Sequence, residues 1–277
     1  ISIVATGIGS HSFVKYSTKA YQYGFSSTMT YMNDWFFMPL FMFGWLPIIY
    51  YTKVRSIPEY FEKRFNKTAR YLATTMTLLY MIGYIAIQLL TLATALYRIY
   101  NIPLMATVII IAIATTIYMH FGGQTSVIFT DLFQGLILLF AGLLLFVLGL
   151  QYIGEGQFST GLSSFWSYLT PEEKLPLAHF NSPPNFNFVG IFWQDGIAGS
   201  IGFLFLNQGL IMRFMAAKNV NEGRKAAAFN VLLILPISAI VVSNAGWIGR
   251  AIANGMPGIL PAGLQPNDVF VAVTNIV

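Results

Sequence analysis

Gly122-Gly123-Gln124-Thr125-Ser126-Val127-Ile128-Phe129-Thr130-Asp131-Leu132-Phe133-Gln134 opens a run that stays apolar through Ile153. Crossing a bilayer takes about 20 helical residues at roughly 1.5 Å each, so the run is long enough to span. Its first turns hold Thr130, Asp131 and Gln134. A carboxylate in such a run costs roughly 2.5–3.5 kcal/mol on insertion scales, so it faces a wet cavity or a partner. The plainer alternative is that Asp131 lies among the headgroups and caps the helix start. Soluble enzymes offer few parallels to this arrangement, and ion-coupled membrane transporters offer many.

Composition agrees. Charged residues are 9% of the 277 and hydrophobic residues 56%, where a soluble domain carries about 25% charged. The aromatic share of 16%, with 24 Phe and 15 Tyr, suits lipid-facing helices with interfacial belts. A net charge of +5 is then loop charge that orients the chain, not a nucleic-acid signature. Cysteine is absent, which removes disulfides, thiolate nucleophiles and Cys-based metal sites. With three histidines a zinc site is not expected. The sequence holds no GxxxxGK[ST] loop, HExxH or G-x-S-x-G elbow, so an enzyme is not expected. The chain opens at Ile1 without an initiator Met or signal peptide, and reads as a piece of a longer protein.

A single transmembrane domain is expected over residues 1–277. Seven apolar segments are read: Ile1–Phe25, Thr30–Tyr51, Tyr71–Leu96, Pro103–Met119, Val127–Ile153, Phe188–Met212 and Ala226–Ile252. Asp268–Val277 begins an eighth. Loops 52–70 and 213–225, with the short turn at 120–125, fall on one side and hold ten of the fifteen basic residues, which marks that side as cytoplasmic. Lys15, Lys19, Arg98, Lys174 and Arg250 fall to the other, with the Gly/Ser/Pro/Asn-rich loop 154–187 expected to be extracytoplasmic. Residues 57–65, IPEYFEKRF, read as a short amphipathic helix with a Ser56/Glu59 capping box. It either lies on the membrane surface or is a plain connection. The sequon at Asn66 falls on the cytoplasmic side and carries no expectation.

Ala5-Thr6-Gly7-Ile8-Gly9-Ser10-His11-Ser12 places two glycines and small polar groups at membrane depth. Two readings stand. An unwound helix would free carbonyls for a hard cation, whereas small residues also permit tight helix packing. Asp34, Gln88, Gln194, Asp195, Asn207, Gln208, Asn230 and Asn244 are further polar residues in apolar runs. Each is either interhelical glue or a binding group.

Three stretches resemble the sodium:solute symporter family: residues 57–66; Gly122-Gly123 with Thr130-Asp131 and Gln134; and Asn207-Gln208 through Arg213 to Ala216-Ala217-Lys218 and Arg224-Lys225. Their order and spacing fit along essentially the whole chain. The resemblance implies an all-α, polytopic, inverted-repeat fold of five plus five core helices (LeuT-like). This piece would cover helices 1 to 7 and the start of 8. It implies a Na⁺ bound by carbonyls of Ala5 and Ile8 with helix 8 hydroxyls beyond Val277, and a role for Asp131 in Na⁺ passage to the cytoplasm. The solute site then draws on Gly7, His11 and Ser12 of helix 1, Asp34 of helix 2, Gln88 of helix 3, and Phe203, Asn207 and Gln208 of helix 6. Departures bear on the solute. The sugar-transporting branch favours Tyr and Trp before the Asn-Gln pair, where this chain has Phe203-Leu204-Phe205-Leu206. His11 and Ser12 replace amide and acidic groups, and Met212 replaces a common Gln.

The expected function is Na⁺-coupled uptake of a small polar organic solute (sugar or polyol, with amino acid or carboxylate as alternatives) across a plasma or bacterial inner membrane. Expected partners are the solute, sodium ion, membrane lipid and the remaining helices of the parent protein, without nucleic acid. The rival is a symporter-like sensor that reports solute to a cytoplasmic partner.

Overall fold

A computed structural model describes residues 8–277. Every regular element among them is helical, as lipid demands of backbone that must satisfy its own polar groups. The elements are α1 (Ser10–Tyr23), α2 (residues 29–52), α3 (Ile57–Arg64), α4 (Lys67–Tyr100), α5 (Leu104–Gly123), α6 (Ser126–Ile153), α7 (Phe158–Tyr168), α8 (Phe188–Leu206), α9 (Gln208–Met215), α10 (Val220–Gly255) and α11 (Val269–Ile276). The protein is a multi-pass membrane protein.

Six helical stretches among the described residues are long and apolar enough to cross a membrane, against the seven segments read from sequence. The first, His11–Thr52, is 42 residues long. A straight helix of that length would run about 63 Å, twice the hydrocarbon core. It is not straight. The rings of Tyr16 and Tyr31 meet edge-on at 4.8 Å, though fifteen helical steps would separate them by about 22 Å. The chain therefore doubles back in the 3₁₀ turn Gly24–Thr28, and the first two segments are distinct, the first lying partly outside the described residues. Gly24 enables the reversal. Its φ is +66°, and a Cβ there would sit 2.2 Å from the Glu173 carbonyl oxygen.

α5 and α6 meet at Gly123, whose φ of 58° breaks an otherwise continuous helical stretch at the expected turn. The run read as 188–212 is broken instead of continuous. α8 passes through π-helical turns at Phe192–Ser200 and Gly202–Leu206, then Asn207 turns extended (ψ 103°) before α9 begins.

α10 is the most enclosed helix. Trp247, Ile248, Ala251 and Ile252 are buried with Ala20, Leu150 and Phe165. Its closest neighbour is α1. Gly246 lies so near that a Cβ would come within 2.1 Å of the Ser17 carbonyl oxygen. α4 and α5 instead expose Leu79, Ile82, Ile110 and Ile113, apolar faces suited to lipid.

At one end the Tyr50 hydroxyl donates to the carbonyls of Ala217 and Lys218, joining the two basic loops. At the other, Arg250 pairs with Glu173, and the Trp247 indole donates to the Gly24 carbonyl at 3.0 Å. α3 is capped by Ser56, which accepts from the Glu59 N–H. Glu59 reaches past the expected box to accept from the Arg55 N–H at 2.7 Å. This contact first, and then Lys63, holds the Glu59 carboxyl below its ordinary range. α3 docks on protein more than on a membrane surface: Ile57 and Tyr60 are buried against Ile49, Val54 and Ile211, while Phe65 stays exposed.

Candidate functional site

A polar cavity of about 330 Å³ lies among α1, α2, α4, α8, α9 and α10. α1 enters it by its N-terminus. Gly9 is extended and caps the helix, so the first acceptor of the α1 ladder is the Gly9 carbonyl, which receives Ser12 N–H at 2.9 Å. Helix starts leave N–H groups unsatisfied. Two side chains answer: Ser12 Oγ accepts from the Gly9 N–H at 3.3 Å, and Gln88 Oε1 on α4 accepts from the His11 N–H at 3.3 Å. Gly9 permits this approach, since a Cβ would fall 2.6 Å from Gln88 Oε1.

Of the expected solute-site residues, the cavity gathers His11, Ser12, Asp34, Gln88 and Phe203. Gly7, and Ala5 of the expected sodium pair, lie outside the described residues. Asn207 and Gln208 are not in the wall. Asn207 Oδ1 caps α9 by accepting from Leu210 N–H at 3.0 Å. Gln208 turns toward the basic end. Its Oε1 accepts from Ile57 N–H and its Nε2 donates to the Arg55 carbonyl, both at 3.0 Å. The physical reason is backbone left without helical partners: Asn207 serves the start of α9 at the chain break, and Gln208 serves the connection that leads into α3.

Sequence reasoning counted Lys15 only as a basic residue of the extracytoplasmic side and gave it no place in a site. Lys15 lies in the cavity wall, its Nζ 3.2 Å from Asp195 Oδ1. Tyr16, Tyr31, Tyr80 and Tyr84 also line the cavity. The phenols missing from the stretch before Asn207 are supplied by α1, α2 and α4. A signal existed: Tyr80, Tyr84 and Gln88 recur every four residues, as do His11 with Lys15 and Ser12 with Tyr16, and residues so spaced share a helix face.

The Ser200 hydroxyl donates to the Asp195 carbonyl at 3.3 Å, and Ser200 and Asp34 line the same cavity. The π-helical turns of α8 aim Asp195, Ser200 and Phe203 into the same space; such turns are frequent at functional sites.

Asp131 stands apart from this cavity and forms an ion pair with Arg213 of α9. The side chains are 16% and 8% exposed, so the carboxylate is partnered and does not merely cap a helix. Ile8 is buried against Val241 and Val242, and its carbonyl precedes the α1 ladder. That position fits the hard-oxygen chemistry a sodium ion needs.

The sequence matches the sodium:solute symporter family over residues 1–276. The chain belongs to that family. It is 29% identical to the sodium/glucose cotransporter of Vibrio parahaemolyticus, covering 87% of this chain and 45% of that protein. It is 25% identical to a sodium/sialic acid symporter of Proteus mirabilis, covering 98% of this chain and 53% of that one. The chain thus spans about half the length of these relatives. A solved structure of a Na⁺-coupled sialic acid symporter in a substrate-bound, outward-open state superposes with a TM-score of 0.77 at 23% identity, over 100% of this chain and 57% of the other. The fold is that of the inverted-repeat, LeuT-like symporters, of which this chain forms part.

Proposed function

We propose that this chain is part of a Na⁺-coupled symporter for a small polar organic solute, working by alternating access as one transmembrane domain with the rest of its parent protein. The observation that carries the reading is the polar cavity at the N-terminal end of α1, in a chain matching symporters along its length. Solute would be held by His11, Ser12, Asp34, Gln88 and Phe203. Sodium would be held by carbonyls of Ala5 and Ile8 together with groups beyond Val277. Asp131, on the basic side, would guide sodium toward the cytoplasm once Arg213 releases it. If sodium binds the outward-open state more tightly and orders the solute site, each ligand raises the other's affinity by the same factor.

The test is uptake by the full-length protein in sealed vesicles. An inward Na⁺ gradient should drive accumulation of a labelled solute, and collapsing the gradient should stop it. Accumulation indifferent to sodium would overturn the reading.

A further inference from the structure

The cavity is not charge-balanced. Besides its four tyrosines, its titratable side chains are His11, Lys15, Asp34 and Asp195. Lys15 and Asp195 neutralise one another. Asp34 forms no ion pair among the described residues, and the nearby Ser200 hydroxyl donates to the Asp195 carbonyl. A carboxylate at membrane depth without a counter-charge is costly, and the wall around it is rich in tyrosine rings.

The uncompensated acid describes a ligand. Aromatic rings attract organic cations; Tyr31, Tyr80 and Tyr84 share the wall with Asp34, while Lys15 already lies over the Tyr16 ring. We propose that the solute carries a positively charged nitrogen, seated against Asp34 in this cavity. The inference rests on the symport reading and specifies its substrate class as organic amines. Sodium is the rival cation for Asp34, but a cavity of about 330 Å³ with tyrosines in its wall favours an organic one.

Matched pairs of labelled probes separate these cases in vesicles of the full-length protein: ethanolamine against ethylene glycol, and glucosamine against glucose, with glucuronate as the anionic control. The expected result is Na⁺-driven accumulation of an amine at least tenfold above its neutral partner. Asp34→Asn should weaken amine uptake about ten- to hundredfold, the scale of a lost charge-assisted hydrogen bond, while Asp34→Glu retains the preference for amine. Na⁺-driven uptake of glucose, ethylene glycol or glucuronate in preference to the amines, unchanged by Asp34→Asn, overturns the amine inference and leaves symport standing. Loss of sodium dependence in Asp34→Asn with a neutral solute also overturns it, by giving Asp34 to sodium. If no probe responds to the gradient, the symport reading falls and this inference with it.

Discussion

Arg213 on α9 closes onto Asp131 on α6, an ion pair between residues 82 positions apart in the chain. Both side chains are largely removed from solvent. Breaking a buried pair strands the surviving charge, at a cost of about 3–5 kcal/mol, whereas replacing both partners with apolar groups is often near neutral. Asp131→Ala should therefore lower unfolding stability in detergent by that order, and Asp131→Leu with Arg213→Leu should recover most of it. A denaturant double-mutant cycle reads the coupling. Additive losses would show that the pair does not act as a unit.

Gly246→Ala should be among the most damaging of the helical glycine substitutions. The added methyl would meet the Ser17 carbonyl oxygen at 2.1 Å and Ala20 Cβ at 2.6 Å, with no flexible side chain to yield. Overpacking of this kind costs about 1–3 kcal/mol and sometimes more. Gly83, also helical, has nothing within 4 Å of its ideal Cβ, so Gly83→Ala should be neutral or stabilising by up to about 1 kcal/mol. Thermal unfolding of the two variants side by side gives the comparison.

Gln208→Ala should loosen the start of α3. It removes the acceptor of Ile57 N–H and a donor to the Arg55 carbonyl. A buried backbone group left unpaired costs about 1–3 kcal/mol. Hydrogen exchange should accelerate over residues 55–60 and remain unchanged in α10. Uniform acceleration would instead signal global destabilisation.

Glu173 ties the extracytoplasmic loop to α10. It is 6% exposed, pairs with Arg250, and accepts from Thr170 N–H and Asn254 Nδ2. Burial pushes its carboxyl up, but the Thr170 N–H and Arg250 outweigh that and hold it below the ordinary glutamate value. A depressed carboxyl stabilises the fold fully above its unfolded pKa, and that contribution is lost as pH falls through the lower folded one. Loop protection against proteolysis should hold at neutral pH and fail below the ordinary carboxylate range. Glu173→Gln should be less stable at neutral pH and flatter with pH.

Much of the molecule was legible in the residues. Apolar run length gave most of the spans, because a bilayer sets a minimum helix length whatever the sequence. Gly122-Gly123 gave the turn before α6, because Gly123 has the positive φ that few other residues adopt. The carboxylate at Asp131 signalled a partner but not which one, since Arg213 lies 82 residues on and only folding brings it near.

The site was less legible. Asn207 and Gln208 looked like binding groups by type, yet Asn207 caps α9 and Gln208 serves the connection into α3. Lys15 looked like one basic residue among many, yet folding brings it to Asp195, 180 positions away. The sequence alone determined that this is a helical membrane protein and most of its segments, because those follow from local hydropathy and helix length. The tertiary structure decided which polar groups are spent on each other and which are left facing the cavity. Pairing depends on distances between helices remote in sequence, and no local pattern encodes them.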